Sequence, residues 1–285
     1  VLRRESLSVP RLVRAPQLDA QTHRAGLTGA HVVTGGTSGL GLLTARWLAQ
    51  GGAANMLTLV SRSGTLARHA SSRHEWAAIR AAVTTHAFVR RCDTAEGTDV
   101  KSVLGCVTRD LPLLGVWHAA GVTLDGLLAN QTAATAAHVY APKAHGVWTV
   151  QQAVAGEPLR SCALFSSVAA LLGSAGQANY AAVNACLDAL AALRRARARA
   201  AISMQWGAWA EVGIASRGAA AERMSAMEAA SGIGRIGLAL GLGALSLGIY
   251  ARHAIPVLCV VPVSWSRFLG AGGPVPAFLS ALHHG

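Results

Sequence analysis

The chain has 285 residues, a formal net charge of +12 and a hydrophobic fraction of 52%. Its apolar excess is alanine and glycine spread along the chain. Its longest apolar stretch, residues 236–250, is shorter than the roughly 20 residues that a bilayer requires, which argues against membrane insertion. The basic residues are scattered without interleaved aromatic residues, a pattern that argues against nucleic-acid binding and suits an acidic protein partner or an anionic ligand.

The cysteines are spaced too irregularly for a metal site. The five lie at positions 92, 106, 162, 186 and 259, and they form neither a CxxC pair nor a cluster with zinc-ligand spacing. Residues 1–25 lack the apolar core of a signal peptide. We therefore expect reduced thiols, a cytoplasmic location and no bound metal.

The first segment, residues 1–27, is polar and contains two prolines, which predicts a linker or a borrowed strand. A β/α alternation follows it. The predicted strands are 30–34, 55–61, 86–92, 114–118, 161–166, 201–206 and 256–261. The predicted helices are 40–50, 73–85, 100–110, 144–155 and 179–197. Strands that alternate with helices of this length predict an α/β fold with a Rossmann-type, doubly wound parallel sheet.

Two segments near the end of the chain interrupt this alternation. Residues 211–250 are rich in methionine, alanine and glycine and predict helices without a strand, as in a helical lid inserted over a substrate. Residues 271–285 contain glycine and proline and predict an exit linker. One catalytic domain, residues 28–270, is therefore expected.

A glycine-rich turn joins the first predicted strand of the sheet to the first helix. Its residues are Thr34, Gly35, Gly36, Thr37, Ser38, Gly39, Leu40 and Gly41. Glycines let the backbone approach a pyrophosphate, and the N-terminus of the helix offers N–H groups to the phosphates. The context predicts a dinucleotide site, and a chance glycine-rich turn is the alternative.

The end of the second strand bears on which nicotinamide cofactor is bound. An acidic residue there would hold a ribose 2′-hydroxyl, but this chain has Ser61 followed by Arg62. A guanidinium can clamp a 2′-phosphate, so NADPH is favoured over NADH. A merely solvated Arg62 is the alternative.

Two further strand ends are candidates for contact with the cofactor. Cys92 and Asp93 follow the third strand and could receive the adenine edge, although Asp93 could equally be an ordinary helix cap. His118, Ala119 and Ala120 follow the fourth strand and would bring small residues against the cofactor.

A tyrosine and an asparagine lie one turn apart on the predicted helix 179–197. Tyr180 and Asn184 therefore share a face near the carboxyl edge of the sheet, where open α/β sheets bind ligands, and Ser167 ends a strand at that edge. A phenol is a poor acid unless a cation stabilises the phenolate, a role that Lys143 could fill. In isolation, a tyrosine at a helix start is more often structural, and that alternative stays open.

These motifs together resemble the ketoreductase domain of a modular type I polyketide synthase, within the short-chain dehydrogenase/reductase superfamily. The resemblance covers residues 28–268. Its strings are TGGTSGLG at 34, VSRSG at 60, CD at 92, HAAG at 118, PK at 142, FSS at 165, GSAGQANYAAVNACLDALA at 173 and WGAWAEVGIA at 206. Members of this family have the active-site lysine before the serine and an asparagine after the tyrosine, as found here.

The resemblance implies roles for four catalytic residues. Tyr180 donates a proton to the β-keto oxygen, and Ser167 hydrogen-bonds that oxygen. Lys143 tunes the tyrosine and holds the cofactor ribose, next to which Tyr180 also lies, and Asn184 supports the proton relay. NADPH supplies hydride to the carbonyl carbon.

Product stereochemistry is expected to follow the family's two marker positions. One product class has Leu-Asp-Asp in the loop after HAAG, where this chain has Thr-Leu-Asp and only Asp125 matches. The other class has a tryptophan eight residues before the tyrosine, where this chain has Leu172. Together with Gln177 beside the tyrosine, these residues favour a D-configured, B-type product.

The resemblance also implies partners. The substrate would arrive on the phosphopantetheine arm of an acyl carrier protein, with neighbouring synthase domains in cis, and residues 1–27 would be the last piece of an upstream structural subdomain. A type I fatty acid synthase ketoreductase is an alternative enzyme. A catalytically silent scaffold or epimerising domain and a nucleic-acid-binding protein are the alternatives of other classes.

Overall fold

The structure is a computed structural model that describes residues 2–3, 6–7, 12, 29–109, 111–211, 228, 232–250, 255–270 and 275–282. Within the predicted lid, residues 211–250, the segments 212–227 and 229–231 lie outside this part of the chain. The last portion of the lid is described and forms helix α8, Leu238–Tyr250. No helix among the described residues is long and apolar enough to cross a membrane.

A parallel sheet of seven strands forms the centre of the fold, and it confirms the predicted α/β class. The strands are β3 (Ala30–Thr34), β4 (Met56–Ser61), β5 (His86–Arg91), β6 (Leu113–His118), β7 (Ser161–Ser167), β8 (Ile202–Trp206) and β9 (Val257–Val260). Their order across the sheet is β5-β4-β3-β6-β7-β8-β9. The strand order reverses between β3 and β6, which is where an open sheet of this kind forms its ligand crevice.

Helices cover both faces of the sheet, because consecutive residues of its central strands are buried on both sides. The helices before the lid are α1 (Gly39–Gln50), α2 (Ala70–Arg80), α3 (Gly97–Val107), α4 (Ala133–Tyr140), α5 (Gly146–Ala153), α6 (Ala169–Leu172) and α7 (Ala178–Ala196). Val33 on β3 packs in the cluster that includes α1 and α8, whereas its neighbour Val32 packs against α3 and α5. A strand buried on both faces is typical of a doubly wound sheet.

The predicted helix 144–155 is interrupted and longer than expected. Residues Ala141–His145 form a π-helical turn between α4 and α5, in which the Gly146 N–H bonds the Ala141 carbonyl. Pro142 has no N–H for an α-helical bond, which favours such a departure from α-helical register. The hydrophobic periodicity of the sequence predicted neither the π turn nor helix α4.

The ends of the chain contain more structure than a pair of linkers. Leu2–Arg3 (β1) pairs antiparallel with Ser6–Leu7 (β2). A 3-10 helix covers Ala277–Leu282, and the Leu12 N–H donates to the Phe278 carbonyl at 2.8 Å. The predicted domain boundaries remain predictions.

Candidate active site

The turn between β3 and α1 is shaped by its glycines. Gly35 has φ +63°, and a Cβ there would lie 2.8 Å from the Ala120 backbone nitrogen. A Cβ on Gly41 would collide with the Gly35 carbonyl. Gly39, in contrast, has φ +53° and no atom within 4 Å of a built Cβ. The open space at the start of α1 is where the N–H groups of the helix could hold a pyrophosphate.

The loop after β4 combines hydroxyl groups with exposed guanidinium groups. The Ser61 hydroxyl accepts from the Gly64 N–H at 3.2 Å. Arg62 is exposed, and Arg91 on the neighbouring strand donates from Nε to the Arg62 carbonyl at 3.3 Å. The ion pairs among the described residues involve other arginines. Arg91 was not identified from the sequence, although it directly precedes Cys92 and Asp93.

The side chains of Cys92 and Asp93 interact mainly with residues close to them in the chain. Burial, followed by the charge of Asp99, raises the pKa of the Cys92 thiol to about 11, so this thiol is neutral. The Asp93 carboxylate accepts from the Ala95 N–H at 3.0 Å in a local turn, and it is not the helix cap that was the alternative to adenine contact, because Glu96 is the N-cap residue of α3. Adenine contact at this strand end remains a prediction.

His118 is enclosed between two elements of the site. Its imidazole is 0% exposed, with Nδ1 2.9 Å from the Thr34 hydroxyl and Nε2 3.0 Å from the Lys143 carbonyl oxygen. The side chain therefore has no surface for a cofactor, and only the His118 backbone is available to the predicted contact. Ala119 and Ala120 are half-buried at the same strand end.

Lys143 projects from the π-helical turn and is 4% exposed. Its ammonium donates to the Phe165 carbonyl at 2.6 Å and lies 5.4 Å from the centroid of the Tyr180 ring. Burial lowers the pKa of Lys143, and attraction to a Tyr180 phenolate acts in the opposite direction. The lysine is thus fixed next to the tyrosine despite a spacing of many residues.

Tyr180 and Asn184 lie on the first turns of α7, as the sequence predicts. The Asn184 amide donates to the Tyr180 carbonyl at 2.7 Å, and its side-chain oxygen is buried without a hydrogen-bond partner among the described residues. The Tyr180 N–H donates to the Asn179 side chain at 2.7 Å. Ser167 ends β7, and its hydroxyl oxygen accepts from the Ala169 N–H at 3.2 Å.

The loop after β6 is tied to the start of α7. Gln177 donates to the Asp125 carboxylate at 3.1 Å, and the Gly126 N–H donates to the Gly176 carbonyl at 2.8 Å. Asn179, which sequence reasoning missed, donates to the Leu124 carbonyl at 2.9 Å. Its position directly before Tyr180 is the signal that could have identified it. Leu172 is half-buried at the end of α6.

Asp188 is a third residue that sequence reasoning missed, after Arg91 and Asn179. It follows Asn184 by one turn of α7 and accepts hydrogen bonds from Ser203 at 2.5 Å and Gln205 at 2.8 Å, both on β8. Its negative charge also raises the pKa of Lys143, against the larger effect of burial. Asp188 therefore fixes α7 to the sheet and partly balances the buried ammonium.

The arrangement supports acid-assisted reduction of a carbonyl group. The Lys143 ammonium lies next to the Tyr180 ring, and Ser167 ends β7 at the carboxyl edge of the sheet. Among the described residues, no cluster of three or more His, Cys, Asp and Glu side chains could hold a metal ion. The residues present fit a nicotinamide cofactor, because Gly39 leaves open space at the helix N-terminus.

Comparison with known proteins places this site in a family. The KR domain family model matches residues 29–211. Polyketide synthase GfsB of Streptomyces halstedii is 40% identical over 246 residues, which cover 86% of this chain and 4% of that protein. The chain therefore spans a small part of this relative.

Solved structures agree with the sequence relatives. A structure of A-type ketoreductases from a modular polyketide synthase is 30% identical, with a TM-score of 0.82 over 94% of this chain and 55% of that one. An A1-type ketoreductase is 31% identical, with a TM-score of 0.83 and the same coverage of 94% and 55%.

Proposed function

This chain belongs to the ketoreductase domain family of modular polyketide synthases, within the short-chain dehydrogenase/reductase superfamily, and on that premise we propose that it uses NADPH to reduce a 3-oxoacyl thioester carried by an acyl carrier protein. The product is the 3-hydroxyacyl thioester. Domains of this family are oxidoreductases that reduce β-keto groups during chain elongation with a nicotinamide cofactor.

One observation carries the proposal. The Lys143 ammonium is held by the Phe165 carbonyl at 2.6 Å and lies 5.4 Å from the centroid of the Tyr180 ring. A fixed cation stabilises negative charge as it develops on the phenolic oxygen, and this makes the phenol an effective proton donor. Such a pair at a ligand crevice is suited to protonating a ketone oxygen.

Each active-site residue has a separate role in the proposed reaction. Bound NADPH supplies hydride to the carbonyl carbon. Ser167 donates a hydrogen bond to the ketone oxygen and orients it, and Tyr180 donates the proton to that oxygen. The glycine-rich turn, residues 34–41, binds the pyrophosphate, and Lys143 holds the ribose. Asn184 supports return of the proton to Tyr180 through its buried, unpartnered amide oxygen.

The carrier-protein substrate and the neighbouring domains are also proposals. Carrier proteins are acidic, and the net charge of +12 would increase the rate of encounter with an acidic partner. The polyketide synthase relative is far longer than this chain, which is consistent with domains adjoining it in cis. Nothing in this chain favours a fatty acid synthase, whose ketoreductase would perform the same reaction.

The function is tested by mixing the wild-type protein with NADPH and a 3-oxoacyl thioester of N-acetylcysteamine or of a carrier protein. We expect consumption of NADPH with formation of the 3-hydroxyacyl thioester, measured by absorbance and mass spectrometry. The matched control replaces the 3-oxoacyl group with a saturated acyl group, which offers no ketone. Binding of NADPH without turnover of any 3-oxoacyl thioester would instead support the silent scaffold.

We propose a D-configured, B-type product on the basis of Asp125 and Leu172. Asp125 is held by Gln177 three residues before Tyr180, and Leu172 occupies the position where the opposite class has tryptophan. The two solved structures above are A-type and A1-type, so likeness of fold does not carry this proposal. Chiral chromatography of the hydrolysed product decides it, and an L-configured acid would overturn it.

Arg62 should determine the preference for NADPH over NADH. We expect Arg62→Ala to raise the KM for NADPH by roughly 10- to 100-fold, because a charge-assisted hydrogen bond to the 2′-phosphate is lost. The KM for NADH should change little, since NADH lacks that phosphate. The matched control is Arg80→Ala, an exposed arginine at the end of α2. Equal losses with both cofactors would show that Arg62 does not contact the 2′-phosphate.

A further inference from the structure

We propose that His118 is a positioning residue that holds the main chain of Lys143 in place and connects it to the start of the cofactor-binding turn. The inference rests on the proposed function, because Lys143 has its role there. His118 is 0% exposed and contacts no space that a ligand could enter. Its effect on the reaction therefore passes through its two hydrogen-bond partners, the Lys143 carbonyl and the Thr34 hydroxyl.

The direction of each hydrogen bond follows from the chemistry of the partners. A carbonyl oxygen can only accept, so His118 Nε2 carries a proton and donates to the Lys143 carbonyl at 3.0 Å. Burial, with the charge of Lys143 as a second cause, lowers the pKa of His118 to about 3, so the ring is neutral and its Nδ1 is an acceptor. The Thr34 hydroxyl must then donate to Nδ1, across 2.9 Å.

The chain of hydrogen bonds continues one step further. The Thr34 hydroxyl oxygen accepts from the Ala120 N–H at 3.3 Å. The order is therefore Ala120 N–H to Thr34, Thr34 O–H to His118, and His118 N–H to Lys143. Thr34 is the last residue of β3 and precedes Gly35, so one end of the chain lies at the cofactor turn and the other at the active-site lysine.

The π-helical turn gives the Lys143 carbonyl one bond within the helix, from the Gly146 N–H that also bonds the Ala141 carbonyl, and His118 adds a second donor from outside the helix. A π turn is rarer and less regular than an α-helical turn, so its main chain benefits from bonds to neighbouring elements. Two consecutive carbonyls of this turn receive side-chain donors, Lys143 from His118 at 3.0 Å and Pro142 from Thr94 at 3.4 Å. The lysine tip is bound separately by the Phe165 carbonyl at 2.6 Å. Lys143 is thus fixed at both ends.

Two substitutions separate the two hydrogen bonds of the imidazole. In His118→Gln, the side-chain amide nitrogen can replace Nε2 as the donor to Lys143. In His118→Asn, the shorter side chain can replace Nδ1 as the acceptor from Thr34 but cannot reach Lys143. We expect His118→Gln to keep most of the wild-type kcat and His118→Asn to lose about tenfold or more, because the Lys143 carbonyl then loses its side-chain donor and keeps only the Gly146 N–H, which it shares with Ala141.

The experiment measures kcat, the KM for NADPH and thermal unfolding for both variants. His31→Gln is the matched control, since His31 is an equally buried histidine of the sheet whose Nδ1 accepts from Trp117 Nε1 at 3.0 Å. It should lower thermal stability while kcat per folded molecule stays unchanged. Equal kcat losses in His118→Gln and His118→Asn, or none in a folded His118→Asn, would overturn the proposal.

A crystal structure of each variant tests the same point without turnover. We expect the bond between Lys143 Nζ and the Phe165 carbonyl, 2.6 Å in the wild type, to persist in His118→Gln and to break in His118→Asn. If the wild type proved unable to reduce any thioester, this readout would still decide whether His118 positions Lys143. An unmoved lysine in His118→Asn would refute the positioning role, whatever the protein's activity.

Discussion

Replacement of Tyr180 with phenylalanine should lower kcat by roughly 10²- to 10⁴-fold, because only the proton-donating hydroxyl is removed. The ring remains, and so do the main-chain bonds that place it, the Tyr180 N–H to Asn179 at 2.7 Å and the Tyr180 carbonyl to Asn184 at 2.7 Å. The fold and the glycine-rich turn should therefore be unaffected. NADPH affinity should change far less than kcat.

The measurement is initial rate with a 3-oxoacyl thioester, together with NADPH binding followed by fluorescence. Tyr140→Phe is the matched control, since Tyr140 is an exposed tyrosine at the end of α4. It should retain wild-type kcat. A Tyr180→Phe enzyme with nearly wild-type kcat would show that another group, or water, protonates the ketone oxygen.

The parallel sheet could be predicted from the sequence because its strands have short-range signals. β3 is a run of five buried residues, three of them apolar, and four glycines follow it at positions 35, 36, 39 and 41. A short run of this kind followed by a glycine-rich turn and a helix indicates the first strand of a β/α unit. The class of sheet was therefore predicted, whereas the order of its strands came from the structure.

The chemistry of the phenol made Lys143 a candidate from the sequence, but the turn that holds this lysine beside Tyr180 could not be predicted. Its π-helical turn has no hydrophobic period of its own, and the partner of its ammonium is a main-chain carbonyl of Phe165 on β7. Every residue has a main-chain carbonyl, so the sequence does not show which one accepts this hydrogen bond. The same reason applies to His118, which the sequence analysis placed near the cofactor and whose imidazole is enclosed by Thr34 and Lys143, residues distant in the chain.

Asp188 and Arg91 show a different limit. Asp188 lies on the same face of α7 as Tyr180 and Asn184, but its partners Ser203 and Gln205 become neighbours only when β8 joins the sheet. Arg91 reaches the Arg62 carbonyl because β4 and β5 pair in register. Helical spacing in the sequence therefore identifies candidate residues, and only the pairing of the strands shows which of them contact one another.

Replacement of Lys143 with methionine should abolish most turnover without lowering the stability of the fold. Methionine nearly matches the length of the lysine stem, so the space is filled. The loss of the cation should lower kcat by roughly 10²-fold or more, since no charge then stabilises the developing phenolate, and weaker ribose binding should raise the KM for NADPH. Lys101→Met, on the exposed surface of α3, replaces the other lysine of the chain as the matched control.

Stability should respond in the opposite direction to activity. A buried ammonium is costly, and burial lowers the pKa of Lys143 below its usual 10.5 in the folded state. Unfolding then takes up a proton in the pH range between the lowered value and 10.5, so wild-type stability should rise with pH through that window. Lys143→Met should lack this rise and unfold at an equal or higher temperature below it. A lower unfolding temperature in Lys143→Met would mean that the bond to Phe165 stabilises the fold more than burial of the charge destabilises it.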